Sequence, residues 1–261
     1  MLVWIILILG IVLFVCWLSK PLETPVHTLD DIYDKLKTGD IILFSSKNNG
    51  NLIQSSIYVA RTRLVGSEYG HVGIILRDET GVYLVECCNP TQVGHESSHH
   101  LNNTLQGGVR IIRLETILFK YHAMYGGFFA VKPIKQEIPV SIMMEALYKY
   151  QDSIFEDIGF VYFVALLDNL VSKDAAKKII SKYRPELFEH HRMTCGEFVY
   201  KLLMDCGVAK PCRSKLIWPH VYTGNRFTKL TSSAFDDHVS FNVDPITSTY
   251  ITATIEETIA N

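Results

Sequence analysis

Two apolar runs, His71-Val72-Gly73-Ile74-Ile75-Leu76 and Val82-Tyr83-Leu84-Val85-Glu86-Cys87, flank a hairpin-like turn at Asp78 to Gly81. No other feature limits the fold as strongly. Strands joined by so short a turn pair antiparallel, and their register is fixed by counting inward from it. From a turn near Glu79 and Thr80, residues 71–73 fall roughly opposite residues 86–88. A histidine at the start of one strand is thereby brought back to a carboxylate near the end of the next.

Further short runs surround this pair. Thr38-Gly39-Asp40 reads as a turn and Ile41 to Ser45 as a buried strand, with Val109 to Leu114 and Phe128 to Lys132 as two more. Leu29 to Leu36 carries Ile32, Tyr33 and Leu36 on one side and predicts a leading helix. Leu52 to Ala60, Ser141 to Tyr150 and Ile158 to Val171 are further helical segments. Strands largely precede the main helices, the order expected of an α+β domain with an antiparallel sheet.

The helix opening near Cys195 has the clearest signals in the chain. Thr194 is a natural N-cap, and Glu197 three residues later completes a capping-box pattern. Phe198, Val199, Leu202, Leu203 and Cys206 form an apolar face, and Gly207 follows the last turn. A thiol at the first helical position feels the positive end of the helix dipole and unpaired backbone N–H groups, which favour thiolate. The same N–H groups suit an oxyanion on an attacked carbonyl. Taken singly, each of Cys195, His71 and Glu86 reads as an ordinary structural residue. Taken jointly, they supply a nucleophile, a proton acceptor and a group to orient the acceptor.

Composition excludes several classes. With 25 basic and 27 acidic side chains, net charge −2, and no long basic block, nothing attracts nucleic acid. No phosphate-binding glycine loop, dinucleotide fingerprint or Gly-x-Ser-x-Gly elbow occurs. Outside Cys16, the cysteines are Cys87, Cys88, Cys195, Cys206 and Cys212, an odd set without disulfide-scaffold spacing, which fits a reducing compartment. Cys87, Cys88, His95, His99, His100, His190, His191 and Cys195 are all zinc-ligand types, but their spacings match no standard zinc arrangement. No metal or cofactor is expected.

Hydrophobicity is concentrated at the N-terminus. From Leu2 to Leu18 every residue is apolar or glycine, with Trp4 and Trp17 near the ends and Ser19-Lys20-Pro21 closing the run. About 17 such residues sit at the short end of what spans roughly 30 Å of hydrocarbon. With no early Lys or Arg and no small residues at a cleavage position, the segment reads as an uncleaved single-pass anchor rather than a signal peptide. Lys20 after the anchor places the body on the cytosolic side. The expected organisation is an anchor over 1–20, a linker and leading helix over 21–35, a catalytic domain over 36–230 and a C-terminal tail over 231–261.

The His71–Leu76 run, Leu84-Val85-Glu86, Gly108-Val109-Arg110-Ile111-Ile112-Arg113-Leu114 and Cys195-Gly196-Glu197-Phe198-Val199-Tyr200 together resemble the circularly permuted NlpC-like branch of the papain fold. They look most like its YiiX-like members and poxvirus relatives, with the lecithin retinol acyltransferases as more distant kin. The resemblance covers roughly residues 36 to 230, and Gly39-Asp40-Ile41-Ile42-Leu43-Phe44 looks like the family's opening strand. It implies a permuted papain-like core in which Cys195 attacks a carbonyl, His71 is the base and Glu86 the third polar residue. Family members act on amide or ester bonds in peptides, murein-type peptides or lipids, so the expected activity is that of a cysteine peptidase, amidase, lipid acyl hydrolase or acyltransferase. Gly196 stands where the family often has Ser, a change expected to leave the nucleophile intact. The family's Tyr-Asp pair is matched only imperfectly, by Gln151-Asp152 or Glu156-Asp157. Residues 159–167 suit either a packed helix or part of an acyl-chain groove. The alternative reading is a degenerate papain fold kept as a membrane binding or scaffold module.

Overall fold

The computed structural model describes residues 25–46, 68–89, 99–100, 107–155, 178, 192–212 and 217–243. The expected anchor over residues 2–18, the helices over 52–60 and 158–171, the run 159–167, Glu156-Asp157, His95, His190 and His191 lie outside the described residues. Among the described residues no helix is long and apolar enough to cross a membrane.

In chain order the elements are β1 (His27–Thr28), α1 (Leu29–Ile32, continued by a 3-10 turn over Tyr33–Lys35), β2 (Ile41–Ser45), β3 (Tyr69–Asp78), β4 (Gly81–Cys88), β5 (His99–His100) and β6 (Gly108–Arg113). Then come α2 (Leu114–Tyr125), β7 (Phe129–Lys132), α3 (Val140–Tyr148), β8 (Ile154–Phe155), β9 (Arg192–Met193), α4 (Cys195–Asp205), a 3-10 turn over Pro219–Thr223, α5 (Asn225–Leu230) and β10 (Val239–Asn242). Eight strands form one sheet in the order β1-β10-β7-β2-β3-β4-β6-β5. Its neighbours are antiparallel except the parallel pair β1 and β10. The fold is therefore mixed α+β around a large, mostly antiparallel sheet.

Both faces of the sheet are covered, which explains why its central strands are apolar without alternation. All five residues of β2 are buried. Ile41 and Leu43 join a core with Val72, Ile74, Val85 and the apolar face of α4. Ile42 and Phe44 point the other way, into a core with Ile75, Leu84 and the Leu114, Ile117, Leu118 and Tyr121 stripe of α2. Each such side chain, fully buried, contributes about 1.5–3 kcal/mol relative to exposure. Polar ties fasten the second layer. The buried Tyr33 hydroxyl donates to the Glu115 carboxylate, and the Arg77 guanidinium donates to the carbonyls of Tyr33 (2.9 Å) and Leu36 (2.7 Å).

The structure departs from the sequence reading in several places. Leu114 does not end a strand but begins α2, directly after β6. The leading helix is a single turn tightening into 3-10 geometry. The packed body also passes both expected limits of the domain, because β1 pairs with β10 and β10 with β7. Phe241 of the expected tail is fully buried, and Phe235 forms a bridge with Ile134. Strands thus do not all precede the helices: α2 lies between β6 and β7, and the last described element is a strand.

Candidate active site

The site begins with the cap of α4. Thr194 is extended (φ −84, ψ 164) and its hydroxyl accepts the Glu197 N–H at 3.1 Å, while its carbonyl accepts from Phe198 N–H at 2.9 Å. Gly207, at φ +75, lets the chain turn back past the C-terminus, with Val208 N–H donating to the Leu203 carbonyl at 2.9 Å. These caps fix Cys195 at the first helical position, where it is 8% exposed. The Glu197 carboxylate lies 2.9 Å from Lys201 Nζ.

The start of α4 is also held from outside. Tyr222 Oη donates to the Gly196 carbonyl at 2.6 Å, and a Cβ on Gly196 would lie 2.3 Å from the Ile217 carbonyl oxygen. No side chain fits there without backbone movement. The glycine thus admits the 217–218 backbone against the first turn of the nucleophile helix.

His71 lies in β3, where Phe44 pairs with His71 but Ser45 pairs with Tyr69. The extra residue is a β-bulge, a local kink that re-aims the adjoining side chain. The imidazole packs edge-on against Phe44, centroids 5.3 Å apart, and so touches the α2-side core. It also hydrogen-bonds the Cys195 thiol, a member of the α4-side core. His71 Nε2 bonds Glu86 Oε2, which leaves Nδ1 as the nitrogen for sulfur.

Glu86 comes from β4, whose pairing with β3 runs from Asp78↔Gly81 to Ile74↔Val85. One more step sets Gly73 opposite Glu86, as the turn count predicts. On its other side Glu86 pairs directly with Arg110 of β6. Both residues are fully buried, and Arg110 Nε donates to Glu86 Oε1 at 2.7 Å, with Nη2 donating to the same oxygen. The sequence reading quoted Arg110 in a motif but gave it no role. The available signal was an arginine at a core-facing position of the apolar run Val109–Ile112, since a fully buried Arg needs an anionic partner.

Electrostatics follow from these contacts. Burial pushes the Glu86 carboxyl up, but the Arg110 guanidinium and then His71 outweigh it and hold it down to about 2. Burial pushes His71 down, and the charges of Glu86 and Cys195 reverse this, raising it to about 10. An imidazolium beside sulfur is thus the favoured state at neutral pH. Burial raises Cys87 and Cys88 well above the ordinary thiol range and keeps both protonated. Cys87 donates weakly to the Met193 carbonyl at 3.7 Å. All five described cysteines are free thiols.

The β5 backbone sets His99 opposite Ile111 and His100 opposite Arg110. Among the described residues no three His, Cys, Asp or Glu side chains are grouped to hold a metal. Gln151 and Asp152 are exposed in the turn after α3.

No family model matches the chain. It is similar to the crystal structure of the metalloprotein yiiX from Escherichia coli O157:H7, with a TM-score of 0.35 and 16% identity over 78% of this chain and 87% of that one, a likeness too distant to support any inference. A nearer relative is the uncharacterized protein R372 of Acanthamoeba polyphaga mimivirus, 36% identical over 230 residues, which cover 87% of this chain and 90% of that protein. On that extent and identity, the chain belongs to the family of the mimivirus protein R372.

Proposed function

We propose that the chain is a cysteine hydrolase or acyltransferase with a permuted papain-like core, using Cys195 as nucleophile, His71 as base and acid, and Glu86 to orient the imidazole. One observation carries this reading: a single buried imidazole contacts both the thiol at a helix N-terminus and a carboxylate. The thiolate adds to the carbonyl carbon of an ester or amide. As the C–O or C–N bond breaks, the His71 imidazolium gives its proton to the departing alcohol or amine, leaving a thioester on Cys195. Water, or an acceptor hydroxyl or amine, then attacks the thioester while His71 takes its proton. First-turn N–H groups of α4 suit the developing oxyanion. The substrate class is a peptide or lipid acyl group.

Labelling of the full chain with iodoacetamide across pH, with peptide mapping, tests this. Cys195 is expected to be the one fast-reacting thiol at neutral pH, lost in Cys195→Ala and slowed by about 100-fold or more in His71→Ala. Glu86→Gln should retain partial reactivity, because loss of an orienting group costs less than loss of the base. A Cys195 that reacts like an ordinary exposed thiol and ignores His71 would remove the enzyme reading.

The anchor belongs to the same proposal. Residues 2–18 hold the chain in a bilayer as a single span, with the catalytic body on the cytosolic side and lipid acyl groups within reach. The full chain should float with vesicles after alkaline carbonate washing, and a chain starting at residue 21 should not. Equal flotation of the two would refute the anchor.

A further inference from the structure

Arginine and carboxylate frequently meet fork to fork, each of two N–H groups on its own oxygen. Arg110 does otherwise. Its Nε and Nη2 converge on Oε1 of Glu86, and Oε2 is left to the His71 imidazole. The placement is built into the sheet, since Glu86 and Arg110 are directly paired across β4 and β6 and a slip of one residue would turn Arg110 to the other face. Neither residue has any exposed surface, so water does not hold the carboxylate in this geometry.

We propose that Arg110 is a positioning residue of the Cys195 site: by pinning Oε1 of Glu86 from one side, it presents Oε2 as the fixed acceptor that aims the His71 ring at sulfur. This rests on the cysteine-enzyme reading above and extends it from three residues to a relay of four, Cys195–His71–Glu86–Arg110. Two guanidinium N–H groups on one oxygen fix the carboxylate plane. The full positive charge keeps Glu86 anionic despite burial, and the anion in turn holds a proton on the ring. Without Arg110, only His71 opposes the effect of burial on Glu86, so the carboxyl takes up a proton at higher pH and His71 loses its acceptor from the acid side first.

The test uses the full chain and two readouts, the pH profile of Cys195 alkylation by iodoacetamide and the imidazole 15N shifts of His71. Arg110→Met is expected to slow alkylation at neutral pH by about 10-fold or more and move the acid limb of the profile upward by about one pH unit. Arg110→Lys, which keeps the charge and loses the fork, should recover part of both. In a Glu86→Gln background, Arg110→Met should change the rate by less than about twofold if Arg110 positions the site through that carboxylate. A merely structural arginine would lower the folded fraction and leave the profile of the folded protein in place. An unmoved acid limb, or equal losses in both backgrounds, overturns the proposal. Should Arg110→Met not fold, Arg110→Lys decides: parent-like rate and parent-like His71 shifts overturn it, and intermediate values of both support it. The 15N shifts also separate the two readings. A parent without a fast thiol removes the enzyme reading, while His71 shifts that follow Arg110 still report the positioning.

Discussion

Glu86 and Asp40 are both buried carboxylates of the same sheet, 0% and 1% exposed, yet their acidities are shifted in opposite directions. Asp40, just before β2, accepts from two backbone groups, Ile134 N–H at 2.7 Å on Oδ1 and Lys37 N–H at 2.9 Å on Oδ2, and feels the Lys37 charge only as a smaller effect. Burial outweighs those bonds and pushes its carboxyl up to about 6. Glu86 suffers the same burial, but Arg110 and His71 carry full charge, and it is held down to about 2. Backbone hydrogen bonds do not offset the burial of Asp40, whereas opposite charges at contact more than offset that of Glu86. The division matches the roles. Asp40 ties the turn over residues 38–39 to the segment after β7, whereas Glu86 has to remain an anion wherever His71 is to hold a proton.

The strongest way to break the comparison is to remove the better-partnered carboxylate. Glu86→Leu leaves the buried Arg110 charge without its anion, and the expected loss is about 3–5 kcal/mol by denaturant unfolding, more than any change at Asp40. A loss below about 1 kcal/mol would mean that Arg110 is held by other groups and that the contrast is wrongly drawn. The pH dependence should differ in sign as well as size. With a folded-state value below the ordinary 4.5, the contribution of Glu86 is complete above about 4.5 and disappears as pH falls through about 2. His71, raised, contributes fully below about 6.5 and loses that contribution as pH rises through about 10.

Why Glu86 was legible from sequence and its partner was not is a matter of range. The short turn at residues 78–81 converts sequence distance into register, so the meeting of His71 with Glu86 follows from counting, and the cap of α4 follows from Thr194, Glu197 and Gly207 within a few residues. Arg110 reaches Glu86 across a connection of some twenty residues, and nothing local specifies which strand lies beside β4. The same limit hid β10 and β1, four and two residues long, whose place depends on the rest of the sheet. The α2 helix was missed for another reason: Leu114, Ile117, Leu118 and Tyr121 carry a helical period, but it starts directly after β6 with no breaker, and its N-cap, Arg113, makes no side-chain cap bond. At Gly196 the deciding contact is the Ile217 carbonyl, a backbone atom that no residue type announces.

The smallest expected effect sharpens the comparison most. Because the Asp40 carboxyl is raised from the ordinary 3.8 to about 6, the folded state binds its proton more tightly than the unfolded chain does. Stability should therefore fall as pH rises from about 4 through 6, by on the order of 2–3 kcal/mol from this one group. Asp40→Asn removes the titration. Its amide oxygen can still accept from Ile134 N–H, while its NH2 faces the Lys37 N–H and loses that bond, a cost of about 1 kcal/mol that offsets the relief of burying a charge. At pH 7 the net change should thus lie within about 1 kcal/mol of the parent, with the slope between pH 4 and 6 gone. Cys195 alkylation should shift by less than about twofold, because Asp40 touches no member of the relay. If the slope survives in Asp40→Asn, another buried acid causes it and Asp40 is no counterpart to Glu86. If alkylation drops with it, the latch at the head of β2 is coupled through that strand to Phe44 and the His71 ring it supports.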